Sequence, residues 1–106
     1  MKMGMFLPFA QLTAPGVTAA KGCGDFTEHV LQYTVAAINT NVVLRAEGSI
    51  DNENFYNLSE SDEDTTVTAN GTNAFTYRGK INYIRLRFVS ESGRTDATVD
   101  AVYTGR

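Results

Sequence analysis

The sequence predicts an all-β chain, an antiparallel sandwich or barrel, and three observations support this. From Phe26 onward, apolar side chains recur at every second position. Turn-forming residues interrupt them at short, regular intervals, and no segment carries a helical period. About seven strands result, within a single domain of 106 residues.

Residues 1–24 have a different character and read as an extended N-terminal arm ahead of a β-sandwich domain over 25–106. Pro8, Pro15, Gly16, Gly22 and Gly24 punctuate this stretch, yet Met3, Met5, Phe6, Leu7, Phe9 and Leu12 are strongly apolar. Burying such a side chain contributes about 1.5–3 kcal/mol, so the arm is expected to be covered. It either folds back over its own sandwich or lies along a neighbouring subunit, and in the second case Met5, Phe6, Leu7, Phe9 and Leu12 are assembly contacts. The opening MKMGMFLPFA has the outline of a secretion signal, but Gly4 and Pro8 interrupt its short apolar run. No segment is long and apolar enough for a membrane-crossing helix.

The first strand covers Glu28–Val35, with Leu31, Tyr33 and Val35 on one face. Asn39-Thr40-Asn41 turns the chain. In the next strand Val42, Leu44 and Ala46 point inward and Arg45 and Glu47 face water. Asp51-Asn52 ends that strand, and Glu53–Leu58 forms a short one. Thr65–Ala69 reads as an edge or outer strand. Asn70-Gly71 is a hairpin signal, because both central positions of such a turn favour positive φ, and Thr72–Tyr77 is its return strand. Ile81–Ser90 sets Ile84, Leu86 and Phe88 against Arg85 and Arg87. Asp96–Tyr103 closes the fold with Val99, Ala101 and Tyr103 in phase.

The charge balance bounds function. A net charge of −3 argues against a general nucleic-acid binder. Acid gathers over 51–64, including Glu60, Asp62, Glu63 and Asp64, and base gathers over 78–94, including Arg85 and Arg87. Such segregation favours pairing within the fold or between subunits. The acidic loop lacks the spacing and the glycine of a calcium loop, so a solvated acidic surface is the simpler reading. One cysteine permits no intrachain disulfide and no cysteine-rich metal site. Cys23 and His29 could form a nucleophile and its base, but no orienting partner stands at recognisable spacing, and His29 reads as a strand-surface residue. Phosphate-loop, nucleophile-elbow and zinc-protease motifs are absent, so neither enzyme nor cofactor is expected. Phe55, Tyr56, Phe75 and Tyr77, set among amides and carboxylates, could line a glycan-binding face. The favoured reading is that Phe55, Phe75 and one of the tyrosines supply the large rings that a core without tryptophan needs.

Two stretches carry a family resemblance. Val43-Leu44-Arg45-Ala46-Glu47-Gly48-Ser49-Ile50-Asp51, followed by Asn54-Phe55-Tyr56-Asn57-Leu58, resembles a pattern in small virion proteins of tailed bacteriophages. So does the ending Ile84-Arg85-Leu86-Arg87-Phe88, Ser90-Glu91-Ser92-Gly93 and Ala97-Thr98-Val99, closed by Tyr103-Thr104-Gly105-Arg106. The resemblance spans roughly residues 30–106 and rests on strand and turn formers. It implies a jelly-roll-like sandwich of seven to eight strands serving as a capsid decoration (cement) protein on the virion surface, assembled in the host cytoplasm. The implied partners are the major capsid protein and copies of the chain itself, in a homo-oligomer for which a trimer is the expectation. A neck or tail component, or a carbohydrate-binding module, is the alternative.

Overall fold

The computed structural model describes residues 5–59, 63–93 and 96–106. Its described residues form ten strands and no helix: β1 (Met5–Pro8), β2 (Gly16–Val17), β3 (Lys21–Gly22), β4 (Glu28–Ala36), β5 (Asn41–Ser49), β6 (Tyr56–Asn57), β7 (Thr65–Val67), β8 (Gly71–Arg78), β9 (Tyr83–Ser92) and β10 (Thr98–Gly105). One sheet runs β1-β10-β4-β8. The other is built on β9 and β5, with β2 and β3 on the outer side of β9 and β6 and β7 on that of β5. Every pairing is antiparallel.

The alternation in the sequence is the alternation of the core. Leu31, Tyr33 and Val35 of β4 and Val99, Ala101 and Tyr103 of β10 are buried on the inner face of the first sheet. Val42, Leu44 and Ala46 of β5 meet them from the second, with Ile84, Leu86 and Phe88 of β9. The period of two places each of these sets on one side of its strand, and burial against the opposite sheet supplies the driving force.

Residues 5–24 are built into both sheets of their own chain. β1 pairs with β10 from Met5↔Gly105 to Pro8↔Val102. Leu12 then exchanges backbone hydrogen bonds with Val99 at 2.9 and 2.8 Å. After Pro15 the chain crosses to the second sheet, where Gly16 and Val17 pair with Phe88 and Arg87, and Lys21 and Gly22 with Ile84 and Tyr83. Phe9 and Cys23 join the core, and the buried Thr18 hydroxyl accepts the Leu86 N–H at 3.1 Å. Pro8, which has no N–H to donate, ends an edge strand, where that lack costs least.

Asn70-Gly71 is not the turn of a hairpin. β7 pairs with β5 in one sheet and β8 with β4 in the other, so these residues carry the chain across the sandwich. Among the described residues the non-glycine residues with positive φ are Ala37 and Asn52, and Asn70 is not one of them. Its side-chain oxygen accepts the Ile38 N–H at 3.0 Å, anchoring the corner to the end of β4. A turn pair encodes a reversal of the chain and does not name the strand that the returning segment joins. The strand expected over Glu53–Leu58 shrinks to Tyr56–Asn57, because Asp51 gathers the preceding residues into a turn.

Candidate functional site

Glu47, expected to face water, is 3% exposed although it lies on the outer face of its sheet. The register explains this. β5 and β9 place Glu47 opposite Arg85 and Arg45 opposite Arg87, so three guanidinium groups surround one carboxylate. Arg85 Nε donates to Oε1 at 2.7 Å, and Arg87 Nε and Arg45 donate to Oε2 at 2.9 and 3.3 Å. Arg45 also makes a two-pronged contact with Asp64 at 2.7 and 3.1 Å, and Asn57 Nδ2 donates to the same carboxylate at 3.2 Å. The Phe55 ring lies 3.7 Å from the Arg85 guanidinium, a cation–π contact that covers the cluster from outside. Burial alone would raise the Glu47 carboxyl, but hydrogen bonds from Arg87 and Arg85 outweigh it and hold it below its ordinary range. Asp64 is likewise held low, chiefly by its hydrogen bonds from Arg45.

Arg85 and Arg87 are therefore spent on Glu47, and Asp64 answers Arg45. Glu63 is exposed, while Glu60 and Asp62 lie outside the described residues. Of the apolar candidates, Phe9 is in the core and Leu7 and Leu12 pack against it; the side chains of Met5 and Phe6 also lie outside the described residues. Sequence reading missed Glu47 because alternation assigns a face but not what covers it. Its available signal was a carboxylate aligned with arginines on neighbouring strands.

The motif that follows Glu47 serves folding. A Cβ at Gly48 would come within 2.7 Å of Leu58 and 3.2 Å of Ile81, so the core approaches the backbone there. Ser49, fully buried, accepts the N–H groups of Asp51 and Asn52 at 3.2 and 2.9 Å. Asp51 in turn accepts those of Glu53 and Asn54 at 2.9 and 2.8 Å, and these bonds hold its carboxyl far below the usual range. Asn52 takes the left-handed conformation, φ 62°, that such a turn requires.

Cys23 and His29 do come together, through Tyr103, but as core residues. His29, expected on the strand surface, is 2% exposed because a stack with Tyr103, ring centroids 5.8 Å apart, draws it inward. The Gly79 carbonyl, 3.0 Å away, can only accept, so Nε2 carries the proton and Nδ1 accepts the Tyr103 hydroxyl at 2.6 Å. Burial lowers the His29 pKa and raises those of Cys23 and Tyr103. A thiol kept protonated and sealed from solvent is a poor nucleophile. Among the described residues no group of three or more His, Cys, Asp or Glu side chains is placed to hold a metal ion.

The sandwich opens along β8. A cleft of about 620 Å³ lies between Leu31, Phe75 and Tyr77 of the first sheet and Ala46, Leu58 and Ile84 of the second. The four aromatics weighed as core or glycan face divide between roles. Phe55 covers Arg85, and Phe75 packs on Tyr33 with ring centroids 5.1 Å apart. Tyr77 is half-buried 6.0 Å from His29, and Tyr56 is 44% exposed.

No known protein family and no curated protein matches the chain. Among solved structures, the crystal structure of the SPBc2 prophage-derived protein YomS is similar, with a TM-score of 0.63 over 99% of this chain and 97% of that one. At 15% identity the likeness concerns the fold, and it extends across both chains nearly end to end.

Proposed function

We propose that this chain is a structural protein of a bacteriophage virion, and within that class a decoration protein that binds the major capsid protein and stabilises the head. The observation that carries the reading is the near full-length likeness to a prophage-derived protein. The strand order supports a jelly roll, since β1-β10-β4-β8 faces a sheet in which β9 and β5 are central. The surface suits docking better than turnover. Cys23, His29 and Tyr103 are buried and Glu47 and Asp64 are paired with arginines, while the outer face of the first sheet presents uncharged Val30, Gln32, Ala74, Thr76, Val102 and Thr104. Mass spectrometry of purified particles, with immunogold labelling, tests the reading. Label on heads supports decoration, label on the neck or tail supports the alternative station, and absence from the particle rejects both.

A carbohydrate-binding role is the second reading, favoured by Tyr77 and Asn57, which line the cleft, and by the exposed Tyr56, which hydrogen-bonds Tyr77. A glycan array decides it. Binding that disappears in Tyr56→Ala with the fold intact supports it, and a blank array rejects it.

A further inference from the structure

We infer that β8 is a self-association edge, pairing antiparallel with the β8 of a second copy across a two-fold axis to continue the first sheet through two molecules. The two sheets end in strands of very different kinds. β1 is four residues long and ends in Pro8, and both margins of the second sheet are made of strands of two or three residues. β8 has eight residues, pairs with β4 on one side only, and keeps its register without a bulge. Its sequence GTNAFTYR contains no proline and no lysine, and its one charge, Arg78, is the last residue. Long edge strands are ordinarily blunted by such residues or by a bulge, and β8 has none of these devices.

The backbone direction follows from the neighbouring residue. Gly79 donates its N–H to Thr27 on the β4 side at 2.8 Å, so Gly71, Asn73, Phe75 and Tyr77 also turn theirs toward β4. Those of Thr72, Ala74, Thr76 and Arg78 turn outward, and Ala74's is met at 2.8 Å by the side-chain oxygen of its neighbour Asn73. That local amide cap is the one concession to solvent at the centre of the strand, and a partner carbonyl can replace it.

A second copy fits this edge for two reasons. From Gly71 to Tyr77 the strand is uncharged, so aligning it with itself opposes no like charges, and the antiparallel arrangement carries each Arg78 to the Gly71 end of its neighbour. On the inner face, Phe75 and Tyr77 are only half-buried above the cleft, and a neighbouring strand closes that mouth with the same rings from the other side. The contact is isologous and closes at two subunits. It rests on the edge chemistry alone and stands whether or not the chain belongs to a virion.

Sedimentation equilibrium and native mass spectrometry of the full chain test this. The expected species at about 100 μM has twice the 11.6 kDa chain mass. Thr76→Pro removes only an outward N–H, so it should keep the β-type circular dichroism and weaken dimerisation roughly 100-fold. Ala74→Lys sets two like charges near the axis and should weaken the dimer similarly, with partial recovery in high salt. It provides the readout if the proline variant does not fold. A monomeric or three-copy wild type, or folded variants of unchanged dimer affinity, would overturn the inference.

Discussion

Replacing Glu47 by Gln keeps the shape of the side chain and removes the charge that Arg45, Arg85 and Arg87 share. Breaking a wholly buried ion pair costs about 3–5 kcal/mol; these arginines reach solvent, so about 2–3 kcal/mol is expected. That corresponds to a fall in melting temperature of roughly 10–20 °C by calorimetry. Asp64→Asn removes one ion pair, that with Arg45, at a carboxylate more exposed than Glu47, and should cost under about 1 kcal/mol. The contrast checks whether Glu47, rather than the acidic loop, organises the face. At Gly48 an added methyl meets Leu58 and Ile81, so Gly48→Ala should destabilise by about 1–2 kcal/mol in urea unfolding.

At the scale of the element, residues 5–24 matter most. A truncation that starts the chain at residue 13 removes β1, the Leu12 bridge to Val99 and the buried Phe9. Losing a buried phenylalanine alone costs about 3–5 kcal/mol, so the truncated chain should melt at least roughly 12 °C lower. A truncated protein of unchanged melting temperature would mean that these residues belong elsewhere in the assembled state. Long strands were the legible ones: β4, β5, β9 and β10 each bury three apolar side chains in phase, and such a pattern admits one register. β2 and β3, two residues each, carry no period to read, and only the neighbouring β9 makes them strands. The corner at Asn70-Gly71 was legible as a turn but not as a change of sheet, because pairing partners are decided by the whole core.

For the whole molecule, acid should act in two stages. Burial keeps the His29 pKa below its ordinary value of 6.5, so the unfolded chain takes up that proton first. Its contribution is complete above about pH 6.5 and is lost as the pH falls through the lower folded value. Glu47 and Asp64, held low by their arginines, add a second loss below the ordinary carboxylate range. Melting temperatures between pH 7.5 and 3 should therefore fall in two steps. His29→Gln should flatten the first step and leave the second. Neither His29 nor Glu47 was legible as a buried polar group. Their burial depends on Tyr103 and on the arginines of β9, residues far along the chain that pairing alone brings near.

The sole cysteine, sealed under Tyr103, has a practical consequence. A thiol reagent can reach it only when the sandwich opens, so its modification rate counts opening events without an added label. In native buffer the reaction should run slower than that of a free thiol by the opening equilibrium constant. Removing β1 should quicken it, which makes the chain its own clock for unfolding.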